Sequence, residues 1–269
     1  RRRFGAFFAG LAIVSSAKAM LAPLVPLYAV HLGASPATVG VLISAAFWLP
    51  LLLALVVGAR IDRAGPRVWL LWGTVALAAA PLLVAVAERL WVLAIAQVVI
   101  GLAQLGIVLA SQTFVAALAE GRDRMLLYGW YATFQSAGQL VGPVIVGLLI
   151  DGRGFAASFV AVGVIPTLGL VVLMLAMTPA DLDGEHLDDL HPLRLRGLPR
   201  EATSLIGSVG VQLAMLMSTA VIFAMTFQAT FLPLYLDELQ YTATAIGMLF
   251  SLRAAASMVV RPFMNRITD

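Results

Sequence analysis

Apolar residues fall in blocks of about 20, the length at which an α-helix crosses the hydrocarbon core of a bilayer, with short polar stretches between them. The pattern predicts eight spanning helices, over 5–30, 37–58, 68–87, 91–117, 125–150, 156–178, 207–236 and 243–264. Basic residues collect on alternate connections. One face carries Arg1, Arg2, Arg3, Arg60, Arg63, Arg67, Arg122, Arg124, Arg194, Arg196, Arg200 and Arg266, and the other only Arg89 and Arg153. By the positive-inside rule the N-terminus is expected in the cytoplasm of a cell-membrane protein. The longest polar segment, Thr178 to Ser204, lies on the same side.

Composition sharpens this picture. The chain is 61% hydrophobic and 12% charged, against about a quarter charged in soluble domains, so a soluble fold is excluded. With no cysteine, disulfide and thiol chemistry are ruled out. A pI near 9.7 could suggest nucleic acid, but the arginines sit at the ends of apolar blocks, where they set topology. The polar segment offers Asp181, Asp183, Glu185, His186, Asp188, Asp189 and His191. These lack EF-hand spacing, and two loop histidines five apart make no ready cage, so a solvated linker is expected and no metal. No P-loop, H-E-x-x-H or nucleophile constellation is present, so neither an enzyme nor a cofactor is expected.

After the linker the sequence repeats. Pro26-Leu27-Tyr28 returns as Pro233-Leu234-Tyr235, and the same offset pairs Leu32 with Leu239, Gly40 with Gly247, Leu42 with Leu249, Ser44 with Ser251 and Asp62 with Asp269. Spans seven and eight therefore restart spans one and two. Parallel repeats about an axis along the membrane normal would give two related helical bundles. The chain stops where a ninth span is expected, so the expectation is part of a twelve-helix protein.

Between spans two and three stands a polar island, Gly58-Ala-Arg60-Ile-Asp62-Arg63-Ala-Gly65-Pro66-Arg67. Its charges need water or headgroups, and Gly58 and Gly65 are placed where the chain leaves one helix for the next. Gly58, Asp62, Arg63, Gly65 and Arg67 resemble the loop motif G-x-x-x-D-R-x-G-x-R of the major facilitator superfamily, with Pro66 where a basic residue is usual. Arg261 to Asp269 reads as a weaker second copy. The resemblance implies that the Asp62 loop latches the cytoplasmic side against helix eleven.

Span five carries Gly129, eight residues, Gly138, three residues, Gly142-Pro143, then Gly147. This resembles the antiporter motif of the same family, with Val146 in place of the first of its paired glycines, and in the family it accompanies export. Small residues also serve ordinary close helix packing, and Pro143 bends a helix and frees a carbonyl. On span four, proton-coupled members commonly carry an Arg four residues before a Gly; this chain has Gln97 before Gly101. A neutral amide cannot act on a neighbouring carboxyl as a guanidinium does.

Polar stripes at helical spacing mark candidate cavity positions: Gln97, Gln104 and Ser111; Tyr128, Tyr131, Gln135 and Gln139; Gln212, Thr219 and Thr226. Such stripes either line a wet cavity or hydrogen-bond between helices. Lys18 and Arg253 fall near the middles of spans one and eight, with no Asp or Glu at comparable depth. A mid-membrane charge faces protein or water and is a candidate for substrate binding or coupling. A carboxylate on a later helix is its alternative partner.

The resulting expectation is an all-α polytopic membrane protein of the major facilitator type. Residues 1–178 form a six-helix N-terminal bundle, 179–203 a cytoplasmic linker, and 204–269 the start of a second bundle. It would move a small molecule across the lipid bilayer by alternating access, most simply exporting a drug-like, sugar-like or metabolite substrate as a monomer, with proton coupling left open. An organic-anion carrier using Lys18 and Arg253 is one alternative, and a non-transporting receptor or scaffold is another.

Overall fold

The computed structural model describes residues 2–118, 123–177 and 208–267. They form α1 (Arg2–His31), α2 (Pro36–Ala64), α3 (Pro66–Val86), α4 (Leu90–Leu118), a long helical run (Asp123–Ala176), α7 (Val209–Glu238) and α8 (Ala243–Ile267). The long run changes direction at Gly154, whose φ of 80° and ψ of −178° are not helical. Residues 123–153 are α5 and residues 155–176 are α6. Six stretches are long and apolar enough to span a membrane, one of them being the α5–α6 run, and Ala243–Met258 is a shorter apolar helix.

The junctions follow local chemistry. Ser35 caps α2 by accepting from the Thr38 N–H at 3.2 Å, and Pro36 opens the helix, where a missing N–H costs nothing. Gly65 alone turns α2 into α3. Its φ of 81° and ψ of 151° lie in a region reserved for glycine, its N–H bonds Ile61 O at 2.9 Å, and Pro66 starts α3. The extended ψ of Gly65 is what a following proline demands, which accounts for proline at that position of the loop motif. Two expectations are corrected here. Gly58 lies within α2, which continues to Ala64, so it does not mark the helix end. Asp151, Gly152 and Arg153 are helical, so a bend at Gly154 replaces the expected loop between spans five and six.

Small residues set the packing, as expected where lipid removes the hydrophobic incentive for helices to associate. Gly10 on α1 meets Leu173 on α6, Gly73 on α3 meets Ile107 on α4, Gly163 on α6 meets Leu82 on α3, and Gly101 on α4 lies against the Ala46 backbone of α2. Phe7 and Phe114 lock α1 to α4 with centroids 4.4 Å apart. The outward face of α2 exposes Trp48, Leu51, Leu52 and Leu55. Such a face suits hydrocarbon and not water.

The two ends of the molecule differ. At the end bearing Gly33, Gly154 and Gln240, α7 buries Thr230, Pro233, Leu234 and Leu236. There Leu27, Leu236, Ala243 and Ile246 form a small core with Ile150 and Phe155. Along α7 residues 212–225 are exposed on every face, so neither α1 nor α2 covers them. α7 therefore meets the first six helices at the Gly33 end and stands clear of α1 and α2 beyond it, while α8 stays seated on α5. The segment 179–203 expected as a linker lies outside the described residues.

Candidate functional site

Lys18 is exposed although Val14, Ala17 and Leu21 around it on α1 are buried. Its ammonium forms no hydrogen bond or ion pair with a described residue. Arg253 on α8 is half-buried, and its carbonyl accepts from Ser257 Oγ at 3.1 Å.

Close helix contacts give the relative levels of these two cations. Gly138 faces Ala12 to Ser16 and Gly142 faces Ser16 to Met20, while Gly147 faces Ala243 and Thr244 and Gly247 faces Pro143. Extending these registers puts Lys18 level with Gly142, and Arg253 level with Ala137 and Gly138. They are thus offset along the bundle by roughly 7 Å, a little over a helical turn, rather than lying at one depth.

The polar stripes divide. Gln135 Nε2 donates to Tyr131 OH at 2.6 Å, and Tyr131 OH stands 3.1 Å from Ser111 Oγ. Ser111 Oγ itself donates to Val108 O at 3.0 Å, so its single proton is committed and Tyr131 must donate to Ser111. Tyr128 OH adds a bond to Gln112 O at 3.3 Å. Tyr131 and Tyr128 thus tie α5 to α4, Gln135 bonds Tyr131 within α5, and Tyr131 is buried. Gln104 is half-buried and Gln97 buried, whereas Gln139, Gln212 and Thr219 are exposed.

The glycines of α5 serve two seams. Gly138 and Gly142 seat α5 on α1: a Cβ on Gly138 would stand 2.5 Å from Ala12 O, and one on Gly142 would strike Ser16 O. Gly147 and Pro143 seat α5 on α8, where a Cβ on Gly147 would stand 2.5 Å from Ala243 O. Gly129 has nothing within 4 Å of its would-be Cβ. Spacing alone could not separate that glycine from the other three.

One residue was not singled out in the sequence. Asp151, at the end of α5, accepts from Ala243 N–H at 3.0 Å, from Thr244 N–H at 2.8 Å and from Thr244 Oγ1 at 2.6 Å. The partners are about 92 residues away in sequence, so no local pattern announces them.

At the Gly65 end Asp62, Arg63 and Arg60 are exposed, and Arg67 buries its Nε without a hydrogen-bond partner among the described residues. Asp269, the repeat partner of Asp62, lies outside the described residues.

Membrane-length apolar helices, closely packed through small residues and with α7 standing clear of α1 and α2 over residues 212–225, define a polytopic helical membrane protein. Residues 7–269 match the profile of the Major Facilitator Superfamily, and the chain belongs to that family. It is similar to the multidrug resistance protein MdtG of Salmonella choleraesuis (strain SC-B67), 23% identical over 279 residues that cover 100% of this chain and 67% of the relative. It is also similar to MdtG of Enterobacter lignolyticus (strain SCF1), at 23% identity, 97% of this chain and 63% of the relative. A crystal structure of a POT family transporter with a thioalcohol-conjugated peptide superposes with a TM-score of 0.58 at 17% identity, covering 86% of this chain and 48% of that one. The chain thus spans about two thirds of these curated relatives and about half of the solved transporter.

Proposed function

We propose that this chain is the first bundle and the start of the second in a secondary transporter that exports drug-like small molecules by alternating access. The observation that carries the reading is the asymmetry of the cleft. At the Gly33 end α5 packs against α8 and α1 against α7, whereas α7 residues 212–225 stand clear of α1 and α2. The arginine distribution supports a cytoplasmic Gly65 end and N-terminus, a shape that would load cargo from inside. The names of the MdtG relatives support export of drugs. The protein moves its substrate unchanged and works as a monomer; Gln97 in place of an arginine argues against the usual proton-coupling arrangement.

The test is efflux of a lipophilic cationic dye from cells expressing the protein that carries this chain, with counterflow of labelled dye in proteoliposomes. Saturable counterflow supports transport; its absence for cationic, neutral and anionic probes alike refutes it in favour of a non-transporting scaffold. A second reading, carriage of an organic anion, draws on Lys18, a cation open to the cleft without a described partner. Lys18→Gln and Arg253→Gln should each abolish binding of an anionic probe in correctly inserted protein. Unchanged transport of a cationic dye by the double variant refutes that second reading.

A further inference from the structure

The α8 N-terminus is completed by a residue from the other half. The first turn of any helix leaves N–H groups without intrahelical partners. In α8, Thr242 Oγ1 takes the Ala245 N–H at 3.2 Å, and Asp151 takes those of Ala243 and Thr244 together with the Thr244 hydroxyl. The repeat equivalents in α2 are self-contained: Ser35 caps Thr38, and Pro36 stands where Ala243 donates, with no N–H to satisfy. Hence α2 takes its side-chain cap from its own turn, whereas α8 borrows a second one.

Resting on the transport reading, we infer that Asp151 is the lock of the Gly33 end, a carboxylate that must let go of α8 before the cleft can open on that side. Asp62, Glu88, Asp151, Asp237 and Glu238 are the carboxylates whose side chains are described, and of these only Asp151 is hydrogen-bonded to the opposite half. It sits one turn beyond Gly147, which packs directly on the Ala243 and Thr244 backbone, so loss of its bonds and separation of the seam are one event. A cavity of about 260 Å³ reaches it, lined by His31 from α1, Phe155 from α6, and Asp237 and Tyr241 from the end of α7. Water in that cavity can rehydrate the carboxylate and the freed N–H groups as they part, which keeps the lock reversible. Three donors on one carboxylate also fix direction: the lock resists separation of α8 from α5 while leaving the Gly65 end free.

The experiment uses the protein carrying this chain in lipid nanodiscs, with spin labels on cysteines placed at the exposed Ala37 and Leu239, and distances read by pulsed electron resonance. The chain has no cysteine of its own to interfere. Asp151→Asn keeps one acceptor but loses the charge, and Thr244→Val keeps shape but loses the hydroxyl. Each should raise the population with a long distance between labels, by about 10-fold for the loss of charge. Asp237→Asn, which alters the same cavity but not the bonds, should leave the distribution as in the parent. Parent-like distances in both Asp151→Asn and Thr244→Val overturn the lock, as does an equal shift from Asp237→Asn. These distances need no substrate, so failed counterflow with a shifted Asp151→Asn distribution would refute the transport reading and not the lock.

Discussion

Substituting Gly147 by alanine tests whether the α5–α8 seam controls the opening of the Gly33 end. The new Cβ would stand 2.5 Å from Ala243 O and 2.8 Å from Thr244 Cα, both backbone atoms that cannot swing aside. Restoring ordinary contact near 3.4 Å requires α8 to retreat by about 0.9 Å. A retreat of that size stretches the bonds from Asp151 to Thr244 N and Ala243 N to about 3.7 and 3.9 Å, past the limit of a useful hydrogen bond. Overpacking of this kind costs roughly 1–3 kcal/mol, which would move a two-state equilibrium by about 5- to 150-fold. The cost falls on the closed state alone, because the seam parts in the open one. Gly129→Ala is the matched control: it lies on the same helix with nothing near its Cβ, and alanine there should be neutral or mildly stabilising. Gly138→Ala separates a gating effect from general damage, since its clash with Ala12 and Ser16 lies inside one half and should lower the melting temperature without favouring the open state. Distance distributions between labels at Ala37 and Leu239 provide the readout. If Gly147→Ala matched Gly129→Ala in both distance and thermal stability, the steric reasoning would be refuted.

Three further outcomes are expected. Gly65→Ala should destabilise the protein by roughly 1–3 kcal/mol, because φ near 81° with ψ near 151° is closed to alanine; an unchanged unfolding temperature in detergent would contradict this. Tyr131→Phe leaves Gln135 and Ser111 without the hydroxyl between them and should cost about 1–3 kcal/mol of stability with substrate affinity unaltered. Weakened binding without lost stability would instead assign Tyr131 to the substrate. A cysteine at Asp183 should resist an impermeant thiol reagent on intact cells while one at Leu239 reacts, and the opposite pattern would invert the topology.

The spans were legible in the sequence because each is an apolar block of bilayer length, and the Pro-Leu-Tyr repeat announced a second half. The caps confirm that kinship: Ser35 and Thr242, one repeat apart, cap α2 and α8 in the same way. Boundaries were less legible, since a helix can run past the apolar block into charge, as α2 does through Arg60 and Asp62. Among the site residues, glycine spacing pointed to α5, yet only geometry shows that Gly138 and Gly142 serve one neighbour and Gly147 another. The Tyr131 stripe left two readings open in sequence; its bond to Ser111 joins α5 to α4, and its bond to Gln135 stays within α5. Asp151 escaped notice because its meaning lies in partners far along the chain, where periodicity carries no information.

The borrowed cap on α8 also bears on how the protein is made. Synthesis delivers α5 and α6 well before α8, so Asp151 is in the chain before the N–H groups it caps are made. When the α7–α8 turn arrives, its first N–H groups find their acceptor only by docking on the finished bundle. The first half thus acts as a template for the second. A chain altered at Asp151 should consequently insert all its helices yet assemble its halves late, leaving the Leu239 turn open to protease for longer after synthesis.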